Sequence, residues 1–236
     1  MKLLSKTDFR GQTVQLPDWL VSQYGEWRKI IENRDFPCYF GTQAEKLGDL
    51  RYCYMEKLDS AGLANVLRQF LDLSKKQPDH RHALVLFIKP EQEERSFDFY
   101  RERFWQLLNN LHQLDETPWP EDFPKDPENA HWEFVFGGEQ MFVSGAMPAY
   151  KNRVSRNVGD SQVLIFQPRR IFADIVQCPK TGKKTVETIR KRAEQFEGIP
   201  VHPDLGSFGT EQLEWKQYII SDDMEPETGE CPFRFK

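Results

Sequence analysis

No apolar run in this chain approaches the roughly 20 residues that cross a bilayer, and the start, Met1-Lys-Leu-Leu-Ser-Lys-Thr-Asp8, has neither an apolar core nor a small-residue cleavage site. A soluble, cytoplasmic protein is expected. Cysteine is sparse: Cys38, Cys53, Cys178 and Cys231 are scattered without a Cys-x-x-Cys pair. That spacing argues against a zinc ribbon or finger, and without a secretory signal it favours reduced thiols over a disulfide framework. Gly-x-Gly-x-x-Gly, a Walker-type loop and a serine nucleophile elbow are all missing, so no motif supports dinucleotide, nucleoside-triphosphate or acyl-hydrolase chemistry. No histidine pair has His-x-x-x-His spacing. A basic excess is missing too: the formal net charge is −5, which argues against general affinity for nucleic acid but leaves room for a local basic pocket.

What is present is enough apolar residue, 39% of 236, to bury one substantial core, and one domain spanning 1–236 is expected. Pro17 opens a helix to about Asn33, with Trp19, Leu20, Tyr24, Trp27 and Ile31 at helical spacing. Phe36 to Phe40 reads as extended and aromatic, followed by a short helical piece. Asp59 or Ser60 caps a helix that stops before Pro78, and Ser96 caps another carrying Phe97, Tyr100, Phe104, Leu107, Leu108 and Leu111. Four prolines between Asp115 and Asn129 exclude a regular helix there. Strands are expected at 51–56, 82–88, 131–136, 140–146 and 162–167, and Lys183 to Phe196 as a basic amphipathic helix. Helical crossovers between the early strands and the Gly137-Gly138 turn together predict an α/β fold: a mixed β-sheet containing an antiparallel hairpin, flanked by helices.

The candidate chemistry centres on His131, which opens the alternating strand His131-Trp-Glu-Phe-Val-Phe-Gly137 and is followed by the basic loop Met147-Pro-Ala-Tyr-Lys-Asn-Arg153-Val-Ser-Arg156. An imidazole on a strand can ligate iron, and arginines can grip porphyrin carboxylates, so a haem site is one reading of this stretch. The plain alternative is a hairpin with a partly buried histidine and a solvated loop. Cys38, in Phe36-Pro-Cys-Tyr-Phe40, is a second type of haem ligand, although most free cysteines pack as small apolar groups. Strand alternation would put His131, Glu133 and Val135 on one face and Trp132, Phe134 and Phe136 on the other, with Glu133 read as exposed. His80, His82, His112 and His202 read as solvent-facing or loop residues, and Asp222-Asp223 as part of a polar tail.

Taken in order, Phe36-Pro-Cys38, His131-Trp-x-Phe-x-Phe-Gly-Gly138, Phe142-Val143, Pro148-Ala-Tyr-x-x-Arg-x-Ser-Arg156, Phe166-Gln-Pro-Arg-x-x-Phe172, Phe196-Glu-Gly198 and Gly206-x-Phe-Gly209 resemble the YqcI/YcgG family. The resemblance covers most of the chain. It implies a haem-dependent monooxygenase that N-hydroxylates a guanidine or amine of an arginine-like small molecule, using O2 and an external electron donor. His131 then matches the histidine that begins the family's Gly-Gly hairpin and is the first choice of iron ligand, with Tyr150, Met147 and Cys38 as alternatives. The implied cofactor-binding set is His131, Arg153, Arg156, Arg169 and Tyr150; Glu133 and Arg170 are the substrate candidates. Competing functions are a non-catalytic haem carrier or sensor and a cofactor-free module that binds a small anion.

Overall fold

The computed structural model describes residues 1–11, 14–173, 179–210 and 212–236. Six strands form one open mixed sheet: β1 (Leu4–Ser5), β2 (Arg51–Met55), β3 (Leu84–Ile88), β4 (Phe134–Phe136), β5 (Glu139–Ala146) and β6 (Gln162–Pro168), in the order β1-β2-β3-β6-β5-β4. The helices are α1 (Asp18–Ile31), α2 (Tyr39–Leu47), α3 (Ser60–Lys76), α4 (Phe97–Leu114), α5 (Pro179–Glu197) and α6 (Glu214–Tyr218). Only β2 and β3 are parallel, joined by the α3 crossover; every other pairing is antiparallel. This is the expected α/β architecture. No described helix is long and apolar enough to cross a membrane.

Both faces of the sheet are covered, which explains why β3 is apolar at every position. Leu84, Leu86 and Ile88 pack with α3, α4 and α6, whereas Val85 and Phe87 pack with α1 and α2. The helix starts follow local chemistry: the carboxylate of Asp59 accepts the Gly62 N–H and the hydroxyl of Ser96 accepts the Phe99 N–H. Cys38 caps α2 in the same way, its sulfur accepting from the Gly41 N–H at 3.4 Å. The expected extended stretch therefore ends at Cys38, and Tyr39 and Phe40 are helical. Between β4 and β5, Gly137 and Gly138 have φ of +60° and +74°, the pair of left-handed residues that a two-residue hairpin requires.

Three expectations fail for tertiary reasons. β4 begins at Phe134, so His131 precedes the strand, and all of Trp132 to Phe136 is buried because this edge strand is covered on both sides. The segment after Gly198 is part of the core: Trp215, Tyr218, Ile219, Ile220 and Phe233 are buried, and the Tyr218 hydroxyl bridges the hairpin, accepting from Phe134 N at 2.9 Å and donating to Met141 O at 3.0 Å. His82, His112 and His202 are buried as well. Cys53 and Cys231 are free and buried; Cys178 lies outside the described residues.

Burial holds these three imidazoles below their ordinary pKa of 6.5, which gives the stability a pH signature. Below pH 6.5 the unfolded chain takes up these protons more readily than the folded one, so their stabilising contribution is complete above pH 6.5 and is lost as the pH falls through the folded-state values. Glu214, raised by burial, acts in the opposite sense. The urea midpoint of His112→Gln is expected to fall less between pH 7.5 and pH 5 than that of the wild type. An unchanged slope would remove His112 from this account.

Candidate functional site

Between the sheet and the α1–α2–α5 layer lies a cavity of about 320 Å³. Its floor is made where β5 and β6 pair: Phe142 sits opposite Gln167, and Ser144 opposite Ile165. All four are only half-buried, although they lie on inner strands of the sheet. The walls are Trp27 and Ile31 of α1, Phe36, Pro37, Cys38 and Phe40 around the start of α2, Ile171 and Phe172 after β6, and Ile189, Ala193 and Glu197 of α5. Polar groups are few: the Cys38 thiol, Arg81, Arg153, Arg156, Ser155 and Glu197, with Ser144 and Gln167 below. The buried indole N–H of Trp27 has no hydrogen-bond partner.

Cys38 projects its sulfur from the N-terminal end of α2. Burial pushes this thiol above its ordinary value, while the amides of Gly41 and Phe40 and the Arg81 guanidinium favour the thiolate. Arg81 lies 4.5 Å from the Phe40 ring centroid and donates to the Ile171 carbonyl.

The two loop arginines meet at the cavity but differ in what they have to spare. Arg153 is fully buried and uses all five of its N–H donors: Nε on Ser221 O, Nη1 on Glu197 Oε2 and Pro200 O, and Nη2 on Asp223 O and Met224 Sδ. It has no donor left for a ligand carboxylate. Arg156 donates to the carbonyls of Gly145, Tyr218 and Gln217 at 3.1–3.4 Å, longer bonds that leave it adaptable. Asp222, read from the sequence as tail, instead accepts the backbone N–H groups of Lys151, Asn152 and Arg153 and so fixes the loop.

The other sequence candidates lie elsewhere. The described residues lining the cavity do not include His131, Tyr150, Met147, Glu133, Arg169 or Arg170. His131 is exposed in the turn before β4, with its ring against Phe208 at 5.3 Å. Met147 and Tyr150 pack in the core on the α3–α4 face; the Tyr150 hydroxyl donates to Ile220 O at 2.7 Å, and burial pushes its pKa up to about 12. Glu133 is buried, not exposed, and is gripped at both oxygens by Arg169, which also reaches Glu214 at 3.2 Å. Two residues assigned to different ligands are therefore partners of each other. Arg170 pairs with Glu139 at 3.3 Å.

The cavity brings in residues to which the sequence analysis gave no role: Ser144, Gln167 and Glu197, the last two lying unremarked within the blocks that carry the family resemblance. A signal existed for two of them, since Ser144 and Gln167 interrupt otherwise apolar strands. Among the described residues no group of three or more His, Cys, Asp or Glu side chains gathers to hold a metal ion; a haem iron asks the protein for an axial ligand only.

With that geometry in view, residues 27–234 match the YqcI/YcgG family. The chain belongs to that family. It is 34% identical to the uncharacterized protein YqcI of Bacillus subtilis (strain 168), over 98% of this chain and 94% of the relative. It is 38% identical to the uncharacterized protein YcgG of the same organism, over 94% and 90%. To "Putative N(omega)-hydroxy-L-arginine synthase DcsA" of Streptomyces lavendulae it is 31% identical, over 94% and 86%. No solved structure matches the chain.

Proposed function

We propose that this family member is a haem-dependent monooxygenase that hydroxylates a guanidine or amine nitrogen of an arginine-like substrate, with O2 and an external reductant, and that Cys38, in place of His131, would hold the iron. The observation that carries it is the donor set of the cavity: one thiol at a helix N-terminus, aromatic and aliphatic walls, and an adaptable arginine. The name of the Streptomyces relative supports the substrate class. A volume of about 320 Å³ lies at the lower end of the roughly 300–1,000 Å³ of small-molecule sites, so the fit rests on donors and not on size.

Held through the Cys38 thiolate, haem would supply oxygen activation. The chain does the rest. The Gly41 N–H and the N-terminal dipole of α2 stabilise negative charge on Cys38 Sγ. Phe36, Phe40, Phe142, Ile165 and Phe172 exclude water. Arg156, with its longer bonds, would turn its guanidinium to a carboxylate of the cofactor or substrate.

Protein produced with haem supplied is expected to show a Soret band with stoichiometric iron, and to form an N-hydroxylated product from L-arginine only with O2 and a reductant. Absence of the band overturns the proposal. Haem retention without product from any guanidine or amine would leave a carrier or sensor.

A further inference from the structure

We infer that Glu197 is the carboxylate that receives the guanidinium of the substrate, an assignment that rests on the arginine-like substrate class proposed above. Glu197 is the last residue of α5, where the helix dipole disfavours negative charge, so helix stability does not explain its presence. Its side chain is only 6% exposed. Among the described residues lining the cavity it is the single carboxylate, set among Arg81, Arg153 and Arg156. A cationic ligand in this cavity has one carboxylate to meet.

That point is held rigidly. Ser155 donates its hydroxyl to Oε1, and Arg153 Nη1 donates to Oε2 at 3.2 Å. A carboxylate has about four lone-pair sites, so these two bonds fix its orientation while leaving acceptor capacity for an incoming fork of N–H donors. Arg153 does not depend on Glu197 for its own place, because Ser221, Pro200 and Asp223 carbonyls hold the rest of its guanidinium and share its charge. Arg153 and Ser155 are thus positioning residues, and Glu197 is the group that meets substrate. Pre-organisation of this kind converts a general attraction for cations into recognition of a planar guanidinium.

The test compares L-arginine with L-citrulline, which replaces the guanidinium by a neutral urea of the same shape, by calorimetry on the full chain with and without haem. The wild type is expected to bind arginine at least tenfold more tightly than citrulline. Glu197→Gln should lose about tenfold to a hundredfold in arginine affinity, as expected for a bond to a charged group, with citrulline binding little changed. Ser155→Ala, a milder change that frees one oxygen, should lose severalfold. Equal binding of the two ligands by the wild type overturns the inference, as does arginine binding by folded Glu197→Gln at wild-type strength. If Glu197→Gln does not fold, the ligand comparison and Ser155→Ala decide. The Soret band of the same samples keeps the outcomes apart: arginine selectivity without haem would retire the oxygenase proposal alone, and haem without selectivity would retire this assignment alone.

Discussion

Arg169→Met is expected to destabilise the protein by about 3–5 kcal/mol, enough to consume much of the stability of an ordinary domain. The substitution keeps volume and stem contacts but strands Glu133, fully buried, and Glu214 beside it. Arg169 also lies 4.1 Å from the Phe208 ring centroid, a contact that methionine replaces only in part. The sign of the pH dependence distinguishes stranded charge from lost packing. Burial already raises the Glu214 carboxyl and depresses the Arg169 guanidinium, each opposed by the other. Without the arginine, the Glu214 carboxyl should rise further in the folded state, so the deficit against wild type should narrow as the pH falls through that value. Urea unfolding at pH 7.5 and pH 5 measures this directly. Adding Glu133→Gln and Glu214→Gln should recover part of the loss, and a deficit that is equal at both pH values would show that packing dominates.

The second large effect concerns the proposed haem. Cys38→Ala is expected to abolish the Soret band or shift it to that of a different ligand type, while His131→Ala should leave spectrum and iron content unchanged. The two sites differ in what surrounds them: Cys38 lines the cavity with a backbone N–H on its sulfur, whereas His131 is exposed against Phe208 and Gly209. Neither substitution removes a large buried side chain, so loss of fold should not confuse the outcome. Retention of the wild-type spectrum by Cys38→Ala would remove the thiol from the iron. Its loss in His131→Ala would restore the histidine.

The sheet was legible where a local pattern has only one physical solution. An all-apolar run between polar flanks, as in Leu84 to Ile88, fits a strand covered on both faces; two successive glycines between alternating strands fit only a tight hairpin; Ser96 ahead of an apolar helical stripe is a cap. The site was less legible because its partners are distant along the chain. Glu133 meets Arg169 and Arg169 meets Glu214 across 36 and 45 residues, and no periodicity reports such a meeting. A histidine's burial is likewise decided by what folds over it: His82 and His202 have hydrogen-bond partners at Asp49 and Ser221, supplied by other loops. Cys38 was visible as a residue type, but its place on the cavity wall depends on α2 beginning immediately after it. Family resemblance carried His131 forward on the strength of its neighbours, and those neighbours are core.

One more consequence follows from the way Ser221, Asp222 and Asp223 clasp the loop at Lys151 to Arg153. About seventy residues separate the two sides of this clasp, so on a ribosome the loop is made well before the residues that fasten it. Until the fastening segment emerges, Arg153 lacks three of its acceptors and Glu197 has no settled counter-ion. The loop and its buried arginine therefore take their final arrangement only when this late-made stretch folds back onto them.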